Sequence, residues 1–200
     1  MTVLIKDLGV TNYSVVWHSM QDFTKNRCTE DLDQIWFTQH NSVYTQGLAG
    51  KDHHVLFEND IPIVRTDRGG QITYHGLGQI IIYVLLDLQK KSYSVRGLVD
   101  ILEGVVISYL SDLGVVGVRQ KGAPGVYVGS GKIASVGLRV SRGCSFHGLA
   151  FNVSMDLKPF SAINPCGYKG LTMVNLSDFV PDIDCLDVMY ALRRYLVNVI

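Results

Sequence analysis

The short stretch "NPCGYKG" sets Cys166 between a proline and a glycine, which makes it the first candidate for chemistry in this sequence. Such a thiol can be a nucleophile, half of a disulfide, a metal ligand or an inert buried side chain. No C-x-x-C pair joins it to Cys28, Cys144 or Cys185, which excludes a zinc ribbon and a thioredoxin motif. Cys144 and His147 form a C-x-x-H half-site, but no second ligand pair has suitable spacing, so no metal is expected.

A second group of unusual residues lies in "RGGQITYHGLGQ", from Arg68 to Gln79, which carries four glycines. Glycine lets the backbone approach a ligand closely or adopt a positive φ angle. The segment is not a dinucleotide-binding fingerprint, because the third glycine would stand at position 81, which is isoleucine. A tight hairpin with a histidine in its turn is one interpretation. The cluster of Arg, Thr, Tyr and His beside paired glycines favours the other, a ligand-binding loop.

The segment "GSGKIASVG", from Gly129 to Gly137, presents one lysine among small and apolar residues. It is not a phosphate-binding loop, because isoleucine follows Lys132 where that motif requires Ser or Thr. It is not a nucleophile elbow either, because no glycine stands two residues before Ser135. Lys132 lies either on the outer face of a hairpin or partly buried. Burial would depress its pKa and make it a candidate base.

A third segment, "SFHGLAFNVSMD", places His147 and Gly148 at the start of an apolar strand. A lone histidine there is more often structural than catalytic. Taken together, the three segments and Cys166 supply a nucleophile, a possible base and backbone loops able to enclose a small apolar ligand. That combination fits acyl transfer through a thiol.

Length and composition limit the class of protein that carries these segments. Two hundred residues suit one domain, which we expect to span residues 1–200, or a domain with a small appendage, and the formal net charge is zero. No global field therefore draws the chain to nucleic acid or to a membrane surface. The N-terminus does not read as a signal peptide, and the longest apolar run, Ile80 to Leu86, is too short to span a bilayer. The expected location is the reducing cytoplasm.

Hydrophobic periodicity predicts the elements that must position the candidate residues. Helical spacing favours helices over residues 11–27, 94–113 and 184–199, the last capped by Asp184. Extended runs occur in "IWFTQH", "SVYTQG", "IPIVRTD" and "QIIIYVLLDL", and glycine-bearing turns separate later strands. We therefore predict an α+β fold with a mixed, largely antiparallel sheet and flanking helices.

Four segments, "RGGQITYHGLGQ", "GKIASVGLRV", "FHGLAFNV" and "INPCGYKG", resemble in order and spacing the signature segments of the lipoyl(octanoyl) transferase family. The likeness runs from about residue 35 to residue 178. The clearest departure is Leu77, where the family usually has proline. The resemblance implies a fold similar to the catalytic domain of biotin and lipoate protein ligases.

This resemblance also implies an activity and its partners. The family moves an octanoyl group from acyl carrier protein to a lysine on lipoyl domains of 2-oxoacid dehydrogenases or on the glycine-cleavage H protein. This is the first step of lipoate biosynthesis. No cofactor is expected on the enzyme, since the donor carries its own phosphopantetheine, and a monomer is expected. Neither nucleic acid nor membrane is an expected partner.

The family's functional positions fall on specific residues of this chain. Cys166 stands where the family has its acyl-thioester nucleophile, and Lys132 stands where the family has the lysine that favours the thiolate. The acyl-binding stretches of the family fall on Arg68, Gly69, Gly70, Gln71, Ile72, Thr73, Tyr74 and His75, on Ser135, Val136 and Gly137, and on Gly148, Leu149 and Ala150.

Three other functions compete with this interpretation. An ATP-dependent lipoate or biotin ligase shares the fold and an active-site lysine but needs no nucleophilic cysteine. A non-catalytic acyl-binding protein would need neither Cys166 nor Lys132. A hydrolase would use Cys166 with His75 or His147. For the oxyanion of the tetrahedral intermediate, the sequence leaves open backbone N–H groups of the glycine-rich loops or the region of His75 and Gly76.

Overall fold

The structure, a computed structural model, describes residues 3–200, which form three α-helices and two β-sheets. The helices are α1 (Tyr13–Asn26), α2 (Val95–Asp112) and α3 (Cys185–Val199). The strands are β1 (Val3–Thr11), β2 (Asp33–His40), β3 (Val43–Gln46), β4 (Ile63–Arg65), β5 (Ile72–His75), β6 (Gln79–Leu85), β7 (Gly117–Arg119), β8 (Gly125–Val128), β9 (Gly131–Ser141) and β10 (Cys144–Asn152).

The larger sheet has seven strands in the order β1-β2-β6-β10-β9-β8-β7. Strands β1 and β2 are parallel, with α1 as the crossover between them, and the other neighbours pair antiparallel. The predicted mixed, largely antiparallel sheet is therefore confirmed. A smaller sheet has the order β4-β3-β5, in which β3 runs parallel to β4 and antiparallel to β5.

Strand β6 is buried on both faces, which explains why its sequence is apolar throughout. Ile80, Ile82 and Val84 pack into the core under α2 and α3. Ile81 and Tyr83 point to the opposite face and pack in the cluster that α1 covers. The large sheet is thus a layer between one helix on one side and two helices on the other.

All three helices lie within two residues of their predicted bounds, because each has an apolar stripe at helical spacing and a polar residue at its start. The side chains of Asn12, Ser94 and Asp184 each accept a hydrogen bond from a backbone N–H of the first turn. The cap predicted at Asp184 is confirmed. Strand β1, by contrast, was not predicted, since this edge strand is largely exposed and has no strict alternation of apolar and polar residues.

The segment from Arg68 to Gln79 is not the tight hairpin that one interpretation of it predicts. Strand β5 belongs to the smaller sheet and β6 to the larger one, so the chain changes sheets between His75 and Gln79. Gly78 allows the chain to change sheets. Its φ is 84°, and a Cβ there would lie only 2.6 Å from the Ser154 carbonyl oxygen, which leaves no room for a side chain. The switch leaves the glycine-rich segment at the junction of the two sheets.

No helix in residues 3–200 has both the length and the apolar character that crossing a bilayer requires.

Candidate active site

Cys166 lies at the centre of a single-turn 3₁₀ helix, Pro165–Gly167, and is itself in the left-handed region with a φ of 56°. Such a conformation is unfavourable for a residue with a side chain and persists only where the surroundings impose it. Here the Asn164 N–H donates to the His54 carbonyl oxygen at 2.8 Å, and the Gly167 N–H closes the turn on the Asn164 carbonyl oxygen at 2.9 Å. The thiol is only half-buried and stays accessible.

Lys132 comes to Cys166 although the two are 34 residues apart. At the start of β9, the Lys132 N–H donates to the Thr172 carbonyl oxygen at 2.9 Å, and the Val174 N–H donates to the Lys132 carbonyl oxygen at 3.1 Å. The segment that follows the cysteine turn is therefore paired with the lysine. The result is a distance of 3.4 Å from Lys132 Nζ to Cys166 Sγ.

The Lys132 side chain is enclosed, with 2% of the residue exposed, and the interpretation that places it on the outer face of a hairpin is wrong. Gly125, with a φ of 131°, provides the space, since a Cβ there would lie 2.5 Å from Lys132 Cε. The ring of Tyr127 lies beneath the ammonium, with its centroid 5.2 Å from Nζ. Ser135 Oγ is the other polar side-chain atom near the thiol, at 3.9 Å from Sγ.

Burial alone would depress the pKa of Lys132, as the sequence predicts, but the net direction is opposite. Desolvation lowers the pKa, whereas the neighbouring Cys166 thiolate and the phenol of Tyr127 raise it, and together they outweigh burial. The pKa of Lys132 therefore lies above its ordinary value while the thiolate is present. The sequence alone could not predict the direction of this pKa shift, because the direction depends on Cys166, which only the fold brings next to Lys132.

A cavity of about 400 Å³ opens between the two sheets beside Cys166, a size typical of small-molecule sites. Most of the predicted site residues line it: Arg68, Gly69, Gly70, Gln71, Thr73, His75, Lys132, Ser135, Val136, Gly137, Gly148, Leu149, Ala150 and Cys166.

Ile72 and Tyr74, which the sequence also predicts as site residues, do not line this cavity. Side chains alternate between the faces of a strand, so β5 directs Thr73 and His75 to the cavity and the two intervening residues away from it. Ile72 and Tyr74 instead pack in the apolar cluster beneath the smaller sheet, where Tyr74 stacks edge-on against Phe160. They support the site without facing it.

Sequence reasoning did not predict several other wall residues. They are Tyr13, Ile81, Tyr83, Val95, Val99, Gly122, Ala123, Pro124, Leu138, His147 and Tyr168. Of these, His147 was considered only as a structural histidine or as the base of a hydrolase. The continuous apolar run of β6 indicated that Ile81 and Tyr83 are buried but not that they face the cavity. The loop from Gly122 to Pro124 gave no signal.

A directed chain of hydrogen bonds runs beneath the cavity. The Val174 carbonyl oxygen can only accept, so Asn152 presents its NH₂ group to it at 3.1 Å and its oxygen to Gln79 Nε2 at 2.9 Å. Gln79 Oε1 then accepts from His75 Nδ1–H at 2.7 Å, which leaves His75 Nε2 to accept from the Thr45 hydroxyl at 3.1 Å. The proton of His75 is thereby assigned to Nδ1, and the ring is neutral.

The buried histidines at this end of the cavity are neutral. Burial lowers the pKa of His75 to about 3, with a smaller contribution from His40, and burial lowers the pKa of His40 to about 4. His147 is also buried and lies 2.9 Å from an Asp67 carboxylate oxygen. Burial lowers the pKa of His147 more than this carboxylate raises it.

The geometry argues against a Cys–His hydrolase. Among residues 3–200, the side chains with a polar atom in hydrogen-bonding reach of Cys166 Sγ are those of Lys132 and Ser135. His75 is committed to Gln79 and Thr45, and His147 to Asp67. In the same part of the chain, no group of three or more His, Cys, Asp or Glu side chains is arranged to hold a metal.

Comparison with known proteins places the chain in a family. Residues 6–197 match the lipoyl protein ligase A/B catalytic domain. An octanoyltransferase of Hahella chejuensis is 51% identical over 187 residues, which cover 94% of this chain and 84% of that protein. An octanoyltransferase of Nitrosomonas europaea is 54% identical over 88% of this chain and 87% of its own length.

Solved structures agree on the fold. A bipartite lipoate protein ligase from Thermoplasma acidophilum superposes with a TM-score of 0.77 at 19% identity, covering 99% of this chain and 83% of that one. The biotin protein ligase of Aquifex aeolicus gives 0.55 at 12% identity, covering 98% of this chain and 68% of that one. The predicted fold and the predicted resemblance are both confirmed. The chain is a transferase that belongs to the lipoyl protein ligase A/B catalytic domain family.

Proposed function

We propose that this transferase moves an octanoyl group from acyl carrier protein onto Cys166 and then onto a lysine of a lipoyl domain. The observation that carries the proposal is the 3.4 Å contact between Lys132 Nζ and Cys166 Sγ at the mouth of a cavity with largely apolar walls. Relatives of about 50% identity that are octanoyltransferases support the choice of acyl group. The lipoyl domain as acceptor fits the likeness to lipoate protein ligases.

The first half-reaction is a thioester exchange. Lys132 Nζ lies 3.4 Å from Cys166 Sγ, where an ammonium can pair with the thiolate that acts as the nucleophile. Attack on the donor thioester forms one S–C bond and breaks another, so the exchange is nearly balanced and needs no ATP. The acyl tail fits along Val136, Leu149 and Ala150, where each buried methylene contributes roughly 0.8 kcal/mol.

The second half-reaction needs a base, because the acceptor lysine is cationic in water. Acylation converts the thiolate of Cys166 into a neutral thioester. The largest influence that raises the pKa of Lys132 then disappears, while desolvation, which lowers it, remains. The pKa of Lys132 therefore falls on acylation, so its ammonium gives its proton to the departing donor thiolate. The neutral amine that remains is available as a base at the stage when one is required. One residue stabilises the thiolate and later accepts a proton.

Intact-protein mass spectrometry tests this function. The chain is mixed with octanoyl-carrier protein in the absence of ATP, and then with a lipoyl domain. We expect a gain of one octanoyl group on the enzyme and its subsequent loss to the domain. Cys166→Ala should abolish the adduct, whereas the matched variant Cys28→Ala, whose thiol is exposed and far from the turn in sequence, should retain it. A requirement for ATP would instead favour a ligase.

A further inference from the structure

Arg68 is a buried cation without a carboxylate partner. It is 9% exposed, and no Asp or Glu of residues 3–200 forms an ion pair with it. The adjacent Asp67 is turned away and accepts hydrogen bonds from Trp17, Gln21 and His147. An unpaired buried charge is costly, and burial lowers the pKa of Arg68 accordingly. In the resting protein the Cys166 thiolate acts on this charge and raises the pKa of Arg68, whereas acylation of Cys166 removes that anion.

The guanidinium is held rigidly and has one donor to spare. Its Nε–H donates to Thr45 Oγ1 at 3.1 Å, and Nη2 donates to the Thr45 carbonyl oxygen at 2.5 Å and to Oγ1 at 2.8 Å. Nη1 donates to the Gly69 carbonyl oxygen at 2.9 Å. Arginine has five N–H groups. Four have acceptors among the described residues, and the fifth, on Nη1, has none.

The spare donor lies beside the reacting centre. A Cβ at Gly70 or Gly137 would lie 3.6 Å or 3.9 Å from Nη1, and both glycines form walls of the cavity that Cys166 also lines. Gly137 follows Ser135, whose Oγ is 3.9 Å from Sγ, by two residues on the same face of β9. Arg68 and Cys166 line the same cavity, and they are close enough for the Cys166 thiolate to raise the pKa of Arg68. An acyl group bonded to Sγ therefore shares this cavity with the guanidinium.

We propose that Arg68 is a catalytic residue that donates the spare N–H of Nη1 to the oxygen of the acyl group and stabilises its oxyanion in both half-reactions. The inference rests on the proposed acyl transfer through Cys166. Thiolate attack forms the S–C bond and moves the carbonyl π electrons onto oxygen, which Arg68 then holds. Collapse restores the carbonyl and expels the donor thiolate. In the second step the amine forms the C–N bond, its proton passes to Lys132, and the Cys166 thiolate leaves.

The test compares two reactions of the same sulfur. Acylation by octanoyl-carrier protein passes through an oxyanion, whereas alkylation by iodoacetamide at Cys166 is a displacement that does not. For Arg68→Gln we expect single-turnover acylation to slow by roughly 100-fold or more, the range for loss of one oxyanion donor. Alkylation should slow by a much smaller factor, since the Arg68 charge also acts on the Cys166 thiolate. Arg193→Gln, an exposed arginine on α3, is the matched control and should alter neither reaction.

A second variant keeps the experiment decisive if Arg68→Gln does not fold. Thr45→Val retains the arginine but removes the hydroxyl that anchors Nε and Nη2, so acylation should fall by a smaller factor, with alkylation again less affected. Equal losses in both reactions would mean that Arg68 acts on the thiolate or on the fold, and would overturn the inference, as would unchanged acylation. A wild-type enzyme that gains no acyl group on Cys166 would instead refute the proposed function itself.

Discussion

Acidification should destabilise this protein well above the range in which carboxylates are protonated. His40 and His75 are buried, and burial lowers their pKa values to about 4 and about 3. In the unfolded chain each histidine has an ordinary pKa near 6.5. Between pH 6.5 and about 4 the unfolded state binds two protons that the folded state does not, so acid favours unfolding. The stabilisation is complete above pH 6.5 and is lost as the pH falls.

The magnitude follows from linkage. Each histidine contributes a slope of about 1.4 kcal/mol per pH unit in this window, so the free energy of unfolding should fall by roughly 4 kcal/mol between pH 6.5 and pH 5.0. For a chain of this length the melting temperature should drop by roughly 8–16 °C. His147, whose pKa is also lowered by burial, adds a loss of the same sign.

Urea denaturation at a series of pH values measures this slope, and NMR titration of the histidine rings assigns it. His18→Gln and His53→Gln remove exposed histidines and should leave the slope intact. A free energy of unfolding that is constant from pH 6.5 to 5.0 would refute the reasoning. So would ring signals of His40 and His75 that titrate near pH 6.5 in the folded protein.

Three substitutions test the site itself. Lys132→Arg keeps the charge but cannot give up a proton, so acylation of Cys166 should persist while transfer to the acceptor amine falls at least roughly tenfold, and unchanged turnover would rule out the base role. Ala150→Leu fills part of the cavity and removes space for about two methylenes of the acyl tail. This should shift kcat/KM by about 15-fold from octanoyl towards hexanoyl donors. An unaltered chain-length profile would mean that Ala150 does not contact the acyl tail. Gly125→Ala places a Cβ 2.5 Å from Lys132 Cε and should slow alkylation of Cys166 at neutral pH. The control Gly129→Ala is also at positive φ but has no atom within 4 Å, so it should not slow alkylation. Equal effects of the two variants would mean that Gly125 does not position Lys132.

The helices could be predicted from sequence because their signals are local. An apolar stripe and a capping side chain are both properties of neighbouring residues, and α1, α2 and α3 carry both. Strand β1 could not be found in this way, because it is an exposed edge strand whose partner β2 is reached only through a helix. Its parallel pairing is a property of the tertiary structure.

The candidate site was likewise predicted where the signal is local in sequence and was missed where it depends on the tertiary structure. Resemblance to a family predicted whole segments as part of the site, without saying which of their residues face the ligand. The alternation of side chains along the strand "QITYH" separates Thr73 and His75, which line the cavity, from Ile72 and Tyr74, which do not. The sign of the Lys132 pKa shift depends on a thiol 34 residues away and was wrong when argued from burial alone.

Burial of the pair is what allows Lys132 to serve both half-reactions. Between solvent-exposed groups a thiolate–ammonium contact contributes at most about 1 kcal/mol, so loss of the thiolate charge would hardly alter a lysine there. In a site of low polarity the same contact is several times stronger, and desolvation simultaneously disfavours the ammonium. Gly125 and Tyr127 provide that environment by admitting the side chain and covering it. The glycine-bearing hairpin therefore affects the reaction by controlling the polarity around Lys132 Nζ. Acylation of Cys166 can then change the proton affinity of this nitrogen without any movement of the chain.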